Sequence, residues 1–188
     1  RAKAAVEAGA FRVEDVDVRP QRRNPYPPFT TSTLQQEAAR KLGFTARRTM
    51  QTAQRLYESG HITYMRTDSL SLSKDAVTEI RDTIKATYGD KALSDGINEY
   101  KTKSKNAQEA HEAIRPTEAA ETPQKAEHDL QDEDQRRLYA LIWKRAVACQ
   151  MAPAVYDTVA VDLLAGPDGA KRHLLRAPSQ ACSCLLLA

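Results

Sequence analysis

The sequence of 188 residues contains few cysteines, a small net charge and no long apolar run. Of the three cysteines, Cys149 lies in a predicted helix and is expected to pack in the core. Cys182 and Cys184 form a C-x-C pair without the further Cys or His ligands of a zinc site, so no metal site is predicted in this chain. No apolar stretch approaches the roughly 20 residues of a transmembrane helix and no signal peptide is visible, so we expect a cytoplasmic protein without a membrane partner.

The charge balance is only mildly basic, with 28 Lys and Arg against 25 Asp and Glu and a net charge of +3. This balance permits nucleic-acid binding without arguing for it, so any basic surface must be local. The 41% hydrophobic content is enough for a core, and the length allows one domain or one domain plus a piece of another.

The two ends of the chain carry strand patterns around a helical middle. Residues 1–8 are typical of the last turns of a helix, and the strand that follows has an apolar alternation that slips once. Its apolar residues are Phe11, Val13, Val16 and Val18. The proline-rich segment 21–29 (QRRNPYPPF) predicts a stiff extended linker and a domain boundary. After Pro153, a strand, a turn at 166–169 (GPDG) and a return strand are predicted, so the helical block is expected to be inserted into a β-domain.

The middle of the chain predicts three helices that begin at Ser or Thr and end at Gly. The expected caps are Thr33, which forms a capping box with Gln36, then Thr45 and Ser73, and the expected ends are Gly43, Gly60 and Gly89. Residues 90–127 are mostly loop or short helix, and a last strong helix covers about 132–150. The first two helices, a Gly-containing turn and an extended segment are typical of helix-turn-helix or winged-helix domains.

The segment GHITYMRTDS (60–69) is the most informative part of the sequence. In an extended chain the side chains at i and i+2 point to the same face, so Tyr64 and Arg66 can address one phosphate. The phenol would act as nucleophile and the guanidinium as a two-pronged clamp on the phosphate oxygens. A tyrosine in this position more often packs its ring in the core. However, its sequence neighbours Thr63, Thr67 and Asp68 are polar, which is unusual around a core residue.

A second cluster, AQEAHEAIRPT (107–117), places His111, Glu112 and Arg115 within one predicted helical turn. A histidine with an arginine suits a phosphate oxygen better than a metal, and no H-E-x-x-H motif is present. The alternative is a surface helix start with an ordinary Glu–Arg pair.

A third cluster lies at the start of the first helix, where hydroxyls and backbone amides make a potential phosphate site or an ordinary cap. The next helix offers a basic face that can follow a DNA strand or simply face solvent. The predicted DNA contacts are Thr31, Ser32, Thr33, Gln36, Arg47, Arg48, Gln54, Arg55, Thr67 and Arg115. Asp15 and Asp17 resemble half of a magnesium motif but lack a third carboxylate, so we interpret them as part of a strand edge.

Together these motifs resemble the type IA DNA topoisomerases, the bacterial topoisomerase I kind. The resemblance rests on the segments PFTTSTLQQEAARKLGF, AQRLYESGHITYMRTDS, LSKDAV, AQEAHEAIRPT and LYALIWKRAVACQMAPAVYD, in the family's order and at similar spacing. It covers about residues 1–176, and residues 177–188 do not continue the pattern.

The resemblance implies a role for four residues. Tyr64 falls on the position that attacks one DNA strand and leaves a 5′-phosphotyrosyl link and a free 3′-hydroxyl. Arg66 falls on the residue that holds the scissile phosphate, His111 on a histidine that contacts phosphate near the cut, and Asp68 on an acidic residue of a family motif. The reaction would need no ATP, and strand passage would relax negative supercoils.

The resemblance also implies the architecture: a mainly α, winged-helix (CAP-like) tyrosine-bearing domain at 29–153, flanked by strands of a split arch domain at 1–28 and 154–176. Magnesium would be bound by a Toprim domain that the chain lacks, with no cofactor in the chain itself. The expected partners are single-stranded or negatively supercoiled DNA in the nucleoid and the remainder of the same polypeptide. This fragment alone is expected not to relax DNA.

Two other hypotheses remain open. The first interprets the chain as a non-catalytic winged-helix DNA-binding module in which Tyr64 is structural. The second interprets it as an arch fragment that dimerises through unpaired strand edges.

Overall fold

The computed structural model describes residues 11–100, 112–130, 132–165 and 173–182. The chain divides into two compact units, one built from both ends of the chain and one from residues 25–152. The predicted helix at 1–8, the predicted turn at 166–169 and Cys184 lie outside the described residues. The described residues include no helix with the length and apolar character needed to traverse a bilayer.

The unit formed by the two ends is a three-stranded antiparallel sheet. Its strands, in sheet order, are β1 (Phe11–Arg23), β2 (Ala154–Ala165) and β3 (His173–Cys182). β1 precedes the helices and β2 follows them, yet the two pair along their whole length. The expected return strand is present and extends to Cys182.

The slip in the apolar alternation of β1 is a register shift between Val13 and Asp15. Val13 pairs with Leu163 and Asp15 pairs with Asp162, which leaves Glu14 as one extra residue, as in a β-bulge. The strand also continues through Pro20 to Arg23. The prediction of a linker from residue 21 is therefore wrong for residues 21–23, which belong to β1 and pair with β2.

The second unit is helical. Its long helices are α1 (Thr31–Leu42), α2 (Ala46–Glu58) and α3 (Lys74–Tyr88), followed by a short 3-10 turn at 90–92, the four-residue α4 (Pro123–Ala126) and α5 (Glu133–Ala148). With the sheet, the described residues form a mainly α fold with one small sheet, as predicted.

Caps define the helix boundaries. Thr45 and Ser73 cap α2 and α3 as predicted, because each hydroxyl accepts a backbone N–H three residues on. The predicted cap of α1 is wrong: Thr30 is the N-cap, and Thr33 completes a reciprocal capping box with it. A threonine hydroxyl therefore takes the place of the Gln or Glu that usually closes such a box. Gly43 ends α1 at φ +71°, a conformation that favours glycine.

The core of the helical unit lies between α1, α2, α3 and α5. Its fully buried side chains include Leu34, Leu56, Ile84, Leu138, Tyr139 and Ile142. Trp143 is also buried and donates its indole N–H to the carbonyl of Ala119 at 2.9 Å. Cys149 is buried as predicted, and burial raises the pKa of its thiol to about 12.

Candidate active site

The segment after α2 is extended, and its side chains alternate between solvent and core. Tyr64, Arg66 and Asp68 are exposed, whereas Met65 and Thr67 between them are buried. Met65 is fully enclosed in the core cluster. The alternation puts Tyr64 and Arg66 on the same, solvent-facing side of the segment, in the arrangement that the i, i+2 spacing predicts.

On the Tyr64 side, the segment is attached to the chain at 113–117. Thr63 donates its backbone N–H to the carbonyl of Arg115 at 2.9 Å and its hydroxyl to the carbonyl of Ala113 at 2.8 Å. The same hydroxyl accepts the backbone N–H of Arg115 at 3.0 Å. Thr117 donates to the carbonyl of His61 at 3.0 Å. These bonds fix the backbone immediately before Tyr64.

On the Arg66 side, the segment is attached to the first residue of α1. The backbone N–H of Thr31 donates to the carbonyl of Thr67 at 2.9 Å. The Thr31 hydroxyl lies 2.7 Å from the carbonyl oxygen of Met65 and accepts the backbone N–H of Thr67 at 2.9 Å. The helix start therefore holds the backbone on both sides of Arg66.

The ring of Tyr64 packs edge-on against the ring of Tyr57, which lies in the last turn of α2. The ring centroids are 5.2 Å apart and the planes are inclined by 66°. The two side chains are similarly exposed, 43% for Tyr64 and 41% for Tyr57. The Tyr64 hydroxyl makes no hydrogen bond with any residue in the described ranges, so its oxygen is open to a substrate. Sequence reasoning missed Tyr57 as a neighbour of Tyr64, and its spacing of seven residues gave no signal for the contact.

Arg66 reaches an open groove of about 720 Å³ along α2. The groove is lined by Arg47, Met50, Gln51, Gln54, Arg55 and Arg66. Within the described part of the chain, Arg47 and Arg66 form no ion pair, so both guanidinium groups are available to an anion. Three predicted DNA contacts of α2 therefore share this groove with Arg66, namely Arg47, Gln54 and Arg55.

Two of the arginines of α2 are neutralised by acidic residues from α5 or its cap. Arg48 makes a bidentate pair with Asp134, with both N–O distances 2.7 Å, and lies over the ring of Phe44. The hydrogen bond to Asp134 raises the pKa of Arg48. Arg55 pairs with Asp132, the N-cap of α5. The structure thus places Arg48 outside the groove and leaves Arg55 in it with its charge balanced.

The hydroxyls at the start of α1 are largely used within the protein. Thr33 bonds to Thr30 in the capping box, and Thr31 bonds to residues 65 and 67. Ser32 is exposed and lies 3.2 Å from the Thr30 hydroxyl, and Gln36 is exposed one turn further on. Of these four predicted DNA contacts, Ser32 and Gln36 have side chains that face solvent. Thr67 is buried, and its hydroxyl accepts the backbone N–H of Ser69 at 3.0 Å.

The predicted helical turn around Arg115 is wrong. Residues 112–116 are extended and form bridges to Phe29 and Ile62, with Ile114 donating to the carbonyl of Phe29 at 2.8 Å. Non-local backbone pairing has therefore replaced the helix. His111 lies outside the described residues, so its predicted helical relation to Arg115 is not supported by the backbone that follows it.

Arg115 is paired rather than free. Its guanidinium donates to Glu112 at 3.2 and 2.9 Å and also to the carbonyls of Pro116 and Thr117. Burial acts to raise the pKa of Glu112, but hydrogen bonds from Ser73 and the charge of Arg115 outweigh it, so the pKa is lowered. The ordinary Glu–Arg pair predicted as the alternative is present. It ties the extended segment to the cap of α3, because Glu112 accepts the Ser73 N–H at 2.7 Å.

The described residues offer no obvious place for a metal ion. Nowhere in 11–100, 112–130 or 132–165 do three His, Cys, Asp or Glu side chains come together in a way that could hold one. Asp17 accepts a hydrogen bond from Arg19 at 2.9 Å on β1, and Asp15 is exposed on the same strand. The donor set of a magnesium site is therefore not met by this part of the chain.

Comparison with known proteins identifies relatives over most of the chain. The family described as DNA topoisomerase matches residues 1–175. The protein named DNA topoisomerase 1 of Xylella fastidiosa (strain 9a5c) is 55% identical over 181 residues, which are 92% of this chain and 22% of that protein. The protein of the same name from Zymomonas mobilis is 51% identical over 179 residues, covering 95% of this chain and 14% of the relative.

A solved structure has the same fold. The full-length topoisomerase I of Thermotoga maritima is similar to this chain with a TM-score of 0.77 and 37% sequence identity. The match covers 96% of this chain and 30% of that one. The chain thus spans about a fifth of the first of these relatives and less than a third of the solved structure.

Proposed function

The chain belongs to the DNA topoisomerase family, and on that premise we propose that it carries the DNA-cleaving tyrosine of a type IA enzyme. The observation that carries the proposal is the pair formed by Tyr64 and Arg66. Both side chains are exposed on one side of a segment whose alternate residues are buried. The phenol oxygen is open, and the guanidinium has no acidic partner in the described residues.

The proposed reaction is a transfer of one DNA phosphodiester to Tyr64. The phenol oxygen attacks the phosphorus of a single strand, the bond to the 3′ oxygen breaks, and the phosphoryl group remains on the tyrosine as a 5′-phosphotyrosyl link. The phenol loses its proton and the departing 3′ oxygen gains one. Arg66 binds the non-bridging oxygens with its planar fork and stabilises the charge that develops there. The reverse attack by the 3′-hydroxyl reseals the strand.

The energetics need no cofactor such as ATP, since one phosphodiester is exchanged for another. A phenol is mostly protonated at neutral pH, so attack benefits from a nearby cation that favours the phenolate. Arg66 is the cation that shares a face with Tyr64. We assign passage of the other strand through the gap, and the relaxation of negative supercoils, to the full-length protein.

The open groove along α2 is the proposed path of the strand next to the cut. Arg47 and Arg66 supply positive charge that no acidic residue of the described ranges neutralises, and Gln51 and Gln54 line the same groove, where the Gln54 amide also donates to Glu58 at 2.7 Å. Contacts of this kind bind the phosphate backbone without reading its sequence. Ser32 and Gln36 remain proposed DNA contacts at the start of α1. Asp68 and His111 remain proposed catalytic residues, with His111 as a contact to the phosphate near the cut.

At the level of architecture, we propose that residues 29–153 form a winged-helix (CAP-like) tyrosine domain and that the terminal strands belong to an arch that carries it. We place Mg²⁺ in a Toprim domain of the full-length protein, outside the segment that this chain matches. The chain alone is then expected not to relax supercoiled DNA. Its proposed place of action is chromosomal DNA in the cytoplasm.

The test is covalent capture of DNA. The chain is grafted in place of the matching segment of the Xylella fastidiosa relative and incubated with a 3′-labelled single-stranded oligonucleotide. We expect a labelled protein adduct that disappears in Tyr64→Phe and persists in Tyr57→Phe. The second variant is a matched control, because Tyr57 is the neighbouring ring and is equally exposed. An adduct that survives Tyr64→Phe would overturn the proposal.

A second candidate function is favoured by the contact between the rings of Tyr57 and Tyr64. A centroid distance of 5.2 Å in an edge-on arrangement is what a structural tyrosine makes. In that case the chain is a DNA-binding module without chemistry. This second function predicts that the grafted protein binds the oligonucleotide equally well with and without Tyr64→Phe. It also predicts that no variant forms a covalent adduct.

A further inference from the structure

Thr31 makes four hydrogen-bond contacts to one segment that is distant in the sequence. It is the first residue of α1, and its hydroxyl meets the backbone 34 and 36 residues further along the chain. The hydroxyl oxygen is 2.7 Å from the carbonyl of Met65 and 3.1 Å from that of Thr67, and it accepts the N–H of Thr67 at 2.9 Å. The backbone N–H of Thr31 adds a bond to the carbonyl of Thr67.

Capping of α1 does not account for this hydroxyl. The N-cap is Thr30, and the reciprocal capping box is completed by Thr33. Thr31 lies between them at the first helical position, where a side-chain hydroxyl is not needed to satisfy the helix. All side-chain hydrogen bonds that Thr31 makes in the described structure go instead to the segment that carries Tyr64 and Arg66.

Thr31 forms its hydrogen bonds with Met65 and Thr67, the two residues that flank Arg66. A carbonyl before it and an N–H after it are both fixed, so the direction in which the Arg66 side chain leaves the backbone is fixed as well. Arg66 itself is exposed and has no ion-pair partner among the described residues, so no side-chain contact of that kind holds it. Its placement therefore depends on the backbone.

From this geometry we propose that Thr31 is a positioning residue that aims Arg66 at the phosphate attacked by Tyr64. The inference rests on the proposed function, because it assigns Arg66 its phosphate. Thr31 does not touch DNA in this account, and its hydroxyl is used entirely within the protein. Thr63 does the corresponding work on the other side, where its hydroxyl holds the backbone before Tyr64.

The hydroxyl can be removed with little change in shape. Thr31→Val keeps the branched side chain but leaves the Met65 carbonyl and the Thr67 N–H without their partner. Thr31→Ser keeps the hydroxyl and removes only a methyl group. Thr49→Val is the matched control, since Thr49 is buried and its hydroxyl donates to the carbonyl of Thr45, the N-cap of its own helix.

The first experiment tests the hydrogen bond from the Thr67 N–H to the Thr31 hydroxyl in the 188-residue chain. It measures hydrogen exchange at individual backbone amides. We expect the Thr67 amide to exchange faster in Thr31→Val than in the wild type, and at the wild-type rate in Thr31→Ser and Thr49→Val. An unchanged Thr67 rate in Thr31→Val would overturn the proposal. This result does not depend on whether Tyr64 cleaves DNA.

The second experiment measures single-turnover cleavage of an oligonucleotide by the grafted protein. A misplacement of a catalytic group by about 1 Å can cost about a hundredfold in rate. We therefore expect the cleavage rate at saturating oligonucleotide to fall by about tenfold to a hundredfold in Thr31→Val, with the dissociation constant nearly unchanged. Thr31→Ser should restore most of the rate, and Thr49→Val should keep it.

The outcomes separate the two proposals. A cleavage rate in Thr31→Val equal to that of the wild type, or a Thr31→Ser variant as slow as Thr31→Val, would overturn the positioning role while the proposed function stands. A wild-type graft that forms no Tyr64-dependent adduct would overturn the proposed function, and the role of Thr31 with it. The exchange rate of the Thr67 amide would then still report whether the bond exists.

Discussion

Replacement of Arg66 should separate catalysis from stability. The side chain is exposed and pairs with no acidic residue in the described part of the chain. Substitution of an exposed side chain of this kind usually changes the free energy of unfolding by no more than about 0.5 kcal/mol. Arg66→Ala is therefore expected to unfold at almost the same urea concentration as the wild type.

The effect of Arg66→Ala on cleavage should be much larger. Removal of one donor that stabilises charge in a transition state typically costs about 2.7–4 kcal/mol, which is a hundredfold to a thousandfold in rate. Arg66→Lys should recover only part of this loss, because an ammonium group is a point charge and cannot bind two phosphate oxygens with a planar fork. Arg48 provides the comparison, since its guanidinium is turned to Asp134 instead of the groove.

The assay is single-turnover cleavage of a labelled oligonucleotide by the grafted protein, together with urea unfolding of each variant. The expected order of cleavage rates is wild type, then Arg66→Lys, then Arg66→Ala, with the unfolding midpoints nearly equal. The reasoning would be refuted by an Arg66→Ala variant that cleaves at the wild-type rate. It would also be refuted if the loss of rate matched a loss of folded protein.

Three other expectations concern the framework around the site. Arg48→Gln should lower the urea unfolding midpoint only slightly and leave DNA cleavage unchanged, since it breaks a solvent-exposed pair with Asp134 outside the groove. Trp143→Phe should cost about 1–3 kcal/mol, because it leaves the buried carbonyl of Ala119 without its donor. Folding lowers the pKa of Glu112 below its unfolded value near 4.5, so the ionised carboxylate stabilises the folded protein. This contribution to the free energy of unfolding is fully present above the unfolded pKa and is lost as the pH falls through the folded pKa. The difference in unfolding free energy between wild type and Glu112→Gln should therefore be present at pH 7 and shrink in acid.

The features that the sequence predicted well are local. The caps Thr45 and Ser73 act within three residues of their own positions. The slip in the valine pattern of β1 follows from the period of two in a strand, and it proved to be a register shift. The shared face of Tyr64 and Arg66 needs only an extended backbone. In each case short-range geometry is sufficient.

The features that could not be predicted depend on residues far apart in the chain. Residues 112–116 follow a helical pattern locally, but Phe29 and Thr63 pair with their backbone and keep it extended. Arg48 reaches a carboxylate 86 residues away, which no feature of α2 indicates. Thr31 resembled a cap or a DNA contact, and only the fold shows that its hydroxyl meets residues 65 and 67.

The roles of the site residues remain predictions, and the central one can be tested by locating the modified side chain. Trypsin cleaves after Arg55 and Arg66, so one peptide contains both Tyr57 and Tyr64. The adduct formed by the grafted protein is digested with nuclease and trypsin, which leaves a nucleotide joined to the peptide through its 5′-phosphate. Fragmentation mass spectrometry then identifies the residue that carries this nucleotide. The account predicts the modification on Tyr64. Modification of Tyr57, or of a residue outside this peptide, would contradict it.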